Sequence, residues 1–385
     1  MKFGLSAKCA AIACAVAVLV SACGGKADTQ TQAAGAGAAP AGGVAQAQLD
    51  KLTSADNVPG VEALFRDKGQ DRTSASGVAN LQTKAPMQAG GRIRAGSITK
   101  SFVATVTLQL EAEGKVELDA PIDKYLPGLI NGNGNDGTKI TVRQLLQHTS
   151  GLPNYLGKLM TLDPEALRNQ GADPADLVKT AVQQPPLFAP GTGWTYSNTN
   201  YIVIGMLVEK VTGDTLSHQI DARIVRPLKL ANTYLPLRGD TKLPEPHAVG
   251  YVPAKNGVID FSDYDSTMAW AAGGLVSTTK DVASFYEALL GGRILPPAQL
   301  KEMKTAVPAP SLGVANGSYG LGLFNVPLPC GGEYWGHEGS TFGFMSMAGQ
   351  GTDGRIAVIS ANAYPVAPKA TADIMSTFAD ALCSK

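Results

Sequence analysis

Apolar residues along this chain change their phasing from one stretch to the next, and the changes mark its elements. Ala10 to Val20 is an unbroken apolar run, whereas Gly24 to Ala47 is rich in Gly, Ala, Gln and Thr and offers nothing large to bury. Val61 to Lys68 and Thr73 to Ala79 then read as two short strands around a Lys-Gly-Gln turn. From Ser97 to Glu113 the spacing predicts a helix, with Phe102, Val103, Val106, Leu108 and Leu110 on a broad apolar face and Gly114 as its stop. Helices follow at Thr141 to Gln147, at Asp173 to Gln183 before Pro185-Pro186, at Asn198 to Val211 before Gly213, and at Ser277 to Leu290 before Gly291-Gly292. Strand-like alternation returns at Tyr319 to Phe324, Glu333 to Gly336, Phe342 to Met347 and Arg355 to Ser360, and a last helix runs from about Pro368 to Leu382.

Strands therefore lie at both ends and helices in the middle. The expected fold class is α/β of the α+β kind. A sheet formed by residues 57–115 and 312–385 flanks an all-helical insert at 116–311, and the two parts meet at a cleft. The folded body is expected to span 49–385.

Composition adds constraints. The 385 residues are 44% apolar and carry no net formal charge. No basic tract offers itself to nucleic acid. Lys2 and Lys8 precede the first apolar run, which is too short to span a bilayer as a helix, so residues 1–22 read as an export signal. The run ends in Val20-Ser21-Ala22-Cys23, which resembles the lipobox of bacterial lipoproteins. That resemblance implies cleavage before Cys23, lipidation of Cys23, and a cell-envelope location on the outer side of the cytoplasmic membrane, held by the lipid alone. The alternative is an ordinary secretory cut. Residues 23–48 read as a disordered tether, with a reach of at most roughly 80 Å for about two dozen extended residues. Beyond Cys23 the remaining cysteines are Cys330 and Cys383.

The chemistry begins at Ser97-Ile98-Thr99-Lys100. A cation is out of place in the first turn of a helix, where a carboxylate is preferred. Positions i and i+3 share a helix face, so Lys100 can reach the Ser97 hydroxyl. Partly desolvated, its amine is pushed towards the neutral form, in which it can take the serine proton. Lowering a lysine pKa by three units costs about 4 kcal/mol, a reason to doubt a purely structural role. A second copy, Ser277-Thr278-Thr279-Lys280, has a plainer explanation: Thr278 and Asp281 form a capping box, and Lys280 is a solvated residue. Two further groups stand out, Tyr196-Ser197-Asn198 and His337-Glu338-Gly339-Ser340. By itself Tyr196 could be an aromatic plug and His337 a satisfied surface histidine.

In this order, Ser97-x-x-Lys100, Tyr196-x-Asn198 and His337-x-Gly339 resemble the three active-site motifs of the serine β-lactamase and penicillin-binding superfamily. The Tyr-x-Asn form resembles its class C β-lactamase and D-alanyl-D-alanine carboxypeptidase branch. The stretches "LLQHTSGLP", "FAPGTGWTYSNTNYIVIG" and "AAGGLVSTTKDVASF" agree. The resemblance implies an antiparallel sheet flanked by helices plus a helical domain, and acyl transfer through a covalent Ser97 ester. Lys100 and Tyr196 would share the proton transfers, and Asn198, His337, Gly339 and Ser340 would bind substrate. The backbone N–H groups of Ser97 and Ser340 would form the oxyanion hole. No cofactor or metal is implied; the partners are a peptide or β-lactam substrate, and the protein is expected to be a monomer. The histidine form of the third motif points first to a D-alanyl-D-alanine carboxypeptidase acting on peptidoglycan stem peptides. A class C-like β-lactamase, an esterase of the family and a non-enzymatic cell-wall-binding lipoprotein are the alternatives. Histidine at position 337 is expected to be partly charged near neutrality, where a lysine would be a fixed cation. Glu338, where threonine is usual, brings a negative charge to the substrate-carboxylate pocket. If the last helix packs back across the sheet, as the family fold implies, Cys330 and Cys383 can form a disulfide; otherwise they are two buried thiols.

Overall fold

The computed structural model of the protein describes residues 43–159, 164–255 and 257–384. The expected signal segment, Cys23 and most of the expected tether lie outside the described residues. The tether's last residues do not: Gln46–Ser54 is a helix that buries Leu49 and Leu52, because these two lie one turn apart on the face against the sheet and the last helix.

An eight-stranded sheet organises the chain. Strands β1 (Gly60–Asp67) and β2 (Gln70–Gly77) come first, followed by a short β3 (Arg92–Arg94). The small hairpins β4 (Asn131–Gly132) with β5 (Asn135–Asp136) and β6 (Tyr251–Ala254) with β7 (Gly257–Asp260) interrupt the helical middle, and β8 (Val276–Thr278) pairs with β3. The remaining strands are β9 (Val307–Pro308), β10 (Ser318–Tyr319), β11 (Phe324–Pro327), β12 (Glu333–Thr341), β13 (Phe344–Gly351) and β14 (Ile356–Ala361). The order is β2-β1-β14-β13-β12-β11-β10-β9, antiparallel throughout. The two chain ends meet at β1 and β14, with Val61 opposite Ala361 and Ala63 opposite Ile359.

Alternation along these strands makes two cores. Val61, Ala63, Phe65, Ala357 and Ile359 face the first and last helices, where Leu49, Leu52, Ile374 and Phe378 are buried. Leu64, Ile356, Val358 and Ala348 face the helical layer, which includes the stacked rings of Phe102 and Phe285, 3.6 Å apart.

The mixed architecture expected from the sequence is present, with local differences. The Tyr319–Phe324 stretch is two strands, because Gly320 N–H donates to Leu323 C=O and closes a turn between β10 and β11. The strand expected at Glu333–Gly336 continues to Thr341. The helix expected from Ser277 begins at Thr279, since residues 276–278 are drawn into β8. The insert is not all helical, given its hairpins and β8. Its Thr279–Leu290 helix packs on β14, β13 and β1 and so belongs to the sheet body; β9 joins the sheet ahead of residue 312.

Towards the helical layer the sheet carries a buried polar row: Glu62 opposite Ser360, Ser360 opposite Ser346, and Ser346 opposite Gly339. Ser346 Oγ and Ser360 Oγ are 3.0 Å apart, and Gly90 N–H donates to Glu62 at 2.6 Å. Burial raises the Glu62 carboxyl to about 7, against the hydrogen bonds it accepts from Gly90 N–H and the Thr279 hydroxyl. With a folded pKa above the unfolded one, its stabilising contribution is complete below the unfolded value of 4.5 and is lost as pH rises through about 7. Glu62→Gln should therefore gain on the wild type with rising pH, by up to on the order of 3 kcal/mol between pH 4 and pH 9. Urea midpoints of both proteins at the two pH values check this; an equal gap at both would contradict it.

Candidate active site

The site starts where β3 ends. Ala95 N–H donates to Leu275 C=O at 2.8 Å, and a 3₁₀ turn, Gly96–Ile98, leads into the Thr99–Ala112 helix. Thr99 Oγ1 donates to Gly96 C=O at 2.6 Å and accepts from Leu275 N–H at 3.0 Å, fixing the turn to the segment before β8. Gly96 has φ +53°, and a Cβ on it would lie 2.7 Å from Ser340 N. A Cβ on Gly339 would lie 2.0 Å from the Ala95 oxygen. Only glycine at both positions lets the serine turn rest on the backbone of β12. β11 pairs with β12 only as far as Gly336, so this turn abuts a strand edge that its neighbour leaves free.

Lys100 is wholly buried. Its Nζ is 2.9 Å from Ser97 Oγ, 2.7 Å from Asn198 Oδ1 and 2.5 Å from Ala272 O. Burial holds its pKa well below the lysine value, against a pull upward from Glu338. A neutral amine has two N–H groups and one lone pair. The Asn198 and Ala272 oxygens take the two N–H groups, which leaves the lone pair for the Ser97 hydroxyl proton.

Tyr196 and Asn198 come from the start of the Asn198–Thr212 helix. The Lys100 Nζ lies 4.8 Å from the Tyr196 ring centre. That helix start is held by His148, a residue in the left-handed region at φ +62°. Its Nδ1 accepts from Ser197 N–H at 3.3 Å and from Asn200 Nδ2 at 3.0 Å, and its C=O accepts from Thr195 N–H at 3.1 Å. The His148 ring sits 4.3 Å from the Tyr196 ring. Burial, and then Lys100, keep His148 neutral. Sequence reasoning gave His148 no role although it lies in the quoted "LLQHTSGLP"; nothing local in that stretch connects it with residues 195–200.

His337, expected to be partly charged, is instead buried and neutral. Burial first, then Lys100, lower its pKa to about 3. Its Nδ1 donates to the Glu338 carbonyl, so Nε2 accepts from Tyr319 Oη at 3.0 Å, and the ring stacks on Phe324. Glu338 and Ser340 share the other side of the strand, where the Ser340 hydroxyl donates to the Glu338 carboxylate. Seven expected site residues thus converge: Ser97, Lys100, Tyr196, Asn198, His337, Gly339 and Ser340.

The second Ser-x-x-Lys stays apart from them. Ser277 lies in β8, and Lys280 is exposed. The capping box is only half made: Thr278 Oγ1 accepts from Asp281 N–H at 3.1 Å, but the Asp281 carboxylate turns to Asn232 N–H and Thr233 Oγ1. Cys330 and Cys383 are joined, Cα to Cα 5.6 Å, tying the last helix to the turn before β12.

Known proteins share this fold. The D-stereospecific amidohydrolase structure from Streptomyces sp. superposes with a TM-score of 0.79 at 40% identity, over 86% of this chain and 97% of that one. The D-amino acid amidase from Ochrobactrum anthropi SV3 does so with a TM-score of 0.77 at 28% identity, over 88% and 97%. A D-aminopeptidase of Cereibacter sphaeroides is 27% identical over 81% of this chain and 58% of its own length. The chain spans about half the length of the curated relatives it matches. The Beta-lactamase family model matches residues 45–379, and with the Ser97–Lys100 turn seated on β12 beside Tyr196 the chain belongs to that family of serine hydrolases.

Proposed function

We propose that the protein is a Ser97-dependent amidohydrolase acting on amides of D-amino acids. The hydrogen-bond set of Lys100 carries the reading: an amine stripped of water, with two acceptors for its N–H groups and a serine hydroxyl for its lone pair. Ser97 Oγ would attack the amide carbon as its proton passes to Lys100. The N–H groups of Ser97 and Ser340 would receive the developing oxyanion, where one lost donor costs about 10²–10³ in rate. Tyr196, beside the amine, would pass a proton to the leaving nitrogen, so that ammonia or an amine departs. Water, deprotonated by the same pair, would then release the acid and return the proton to Ser97.

The similar structures named for D-stereospecific amidohydrolase and D-amino acid amidase activity support this substrate class. The carboxypeptidase reading ranks behind it, because a substrate's terminal carboxylate asks for a cation. Beside the serine, β12 offers a neutral His337 and the acidic Glu338. The lipoprotein reading of residues 20–23 belongs to the same proposal; intact-mass analysis of the membrane fraction would find Cys23 acylated.

Release of p-nitrophenol from p-nitrophenyl acetate gives a measure of acylation that does not depend on the natural substrate. Lys100→Ala should lower it roughly 10²–10⁴-fold, and Lys280→Ala should leave it unchanged. Similar losses in both would remove Lys100 from the chemistry. Hydrolysis of D-phenylalanine amide should fall steeply in Tyr196→Phe while KM stays near the wild type; an unchanged kcat would reduce Tyr196 to an aromatic wall. Because His337 stays neutral above about pH 3, the pH–rate profiles of the wild type and His337→Gln should have the same shape between pH 5 and 9. A limb near pH 6 that vanishes in the variant would show His337 titrating in the site.

A further inference from the structure

Acyl transfer leaves one charge in the cleft unused. Glu338 stands one residue from His337 and one from Gly339, on the strand edge against which the serine turn packs. Its side chain is half-buried, and among the described residues no ion pair reaches it. A carboxylate drawn part-way out of water without a partner is unfavourable. Among the described residues the one hydrogen bond to it comes from the Ser340 hydroxyl, which leaves most of its acceptor capacity open. The nearby amine cannot serve it, because Lys100 is held towards its neutral form and committed to Ser97, Asn198 and Ala272. His337 is turned into the rings of Tyr319 and Phe324.

We propose that Glu338, with Ser340, forms a subsite for a substrate cation, the free α-ammonium group on the acyl half of an amino-acid amide. The geometry is local. The Ser340 N–H lies beside Gly96 and would hold the substrate's carbonyl oxygen, while the Ser340 hydroxyl touches the Glu338 carboxylate. An α-nitrogen is two bonds from the carbonyl oxygen's carbon, so a carbonyl seated at Ser340 brings its ammonium to that carboxylate. A charge-assisted hydrogen bond there favours the free amine and repels a substrate carboxylate. The subsite rests on the amidase reading for its substrate, but it can fail separately.

The experiment compares D-phenylalanine amide with N-acetyl-D-phenylalanine amide in the wild type, Glu338→Gln and Glu338→Thr. The subsite predicts that the wild type prefers the free amine by about tenfold or more in kcat/KM, and that both variants lose that preference. Equal rates on the two amides in the wild type, or an unchanged ratio in a folded variant, overturn the subsite while the amidase reading stands. If the wild type hydrolyses neither amide, the amidase reading fails and the subsite is read by competition. D-phenylalanine amide should then inhibit p-nitrophenyl acetate turnover at about tenfold lower concentration than the uncharged 3-phenylpropanamide, in the wild type only. Equal inhibition by the two overturns it. Even if neither variant folds, equal rates on the two amides in the wild type overturn the subsite.

Discussion

One amine holds the active site together. Lys100 Nζ meets Ser97 in the turn that opens its own helix, Asn198 from a helix about a hundred residues later, and the Ala272 carbonyl from the segment before β8. Three separated stretches of chain therefore share one buried atom, and the set is complete only while all three are in place. The environment that gathers them also excludes water, which disfavours the ammonium form. Positioning and activation are thus a single physical fact: the packing that brings the serine, the asparagine and the carbonyl together is what makes the lysine a base.

The reacting groups were legible in the sequence because they sit in short local patterns. Ser97 and Lys100 are one turn apart, Tyr196 and Asn198 flank a helix start, and Gly339 lies within a strand. The Cys330–Cys383 pairing needed the further assumption that the last helix returns to the base of β12. What escaped was the set of supports that depend on tertiary approach. His148 looks like a loop residue until the chain folds and its ring accepts hydrogen bonds from Ser197 and Asn200. Ala272 offers a carbonyl, which no side-chain pattern announces. His337 was misjudged for a related reason: its charge state follows from the enclosure made by Tyr319 and Phe324, two residues contributed by the neighbouring strands. Strand ends and the boundary of the helical part were blurred by short pairings, such as β3 with β8, that local periodicity does not encode.

Electrostatically, the cleft inverts the pattern suggested by its third motif. Burial silences the histidine that was expected to carry positive charge, and the neighbouring position supplies a carboxylate instead. Lys100, being pushed towards neutrality, does little to offset that carboxylate. The field at the open edge of β12 therefore comes from Glu338 and from the backbone N–H groups around the serine turn.

The base of β12 has a consequence for how the body is presented. Gly43 N–H donates to Ser384 Oγ at 2.8 Å, and the neighbouring Cys383 is joined to Cys330 just ahead of β12. Both chain ends of the body are thus fastened at the pole where β12 begins, whereas the reacting serine lies at the pole where it ends. The nine residues between span roughly 30 Å. The described chain therefore begins and ends at the pole remote from the cleft, so a change made at either of its ends lies a full strand length from the reacting serine.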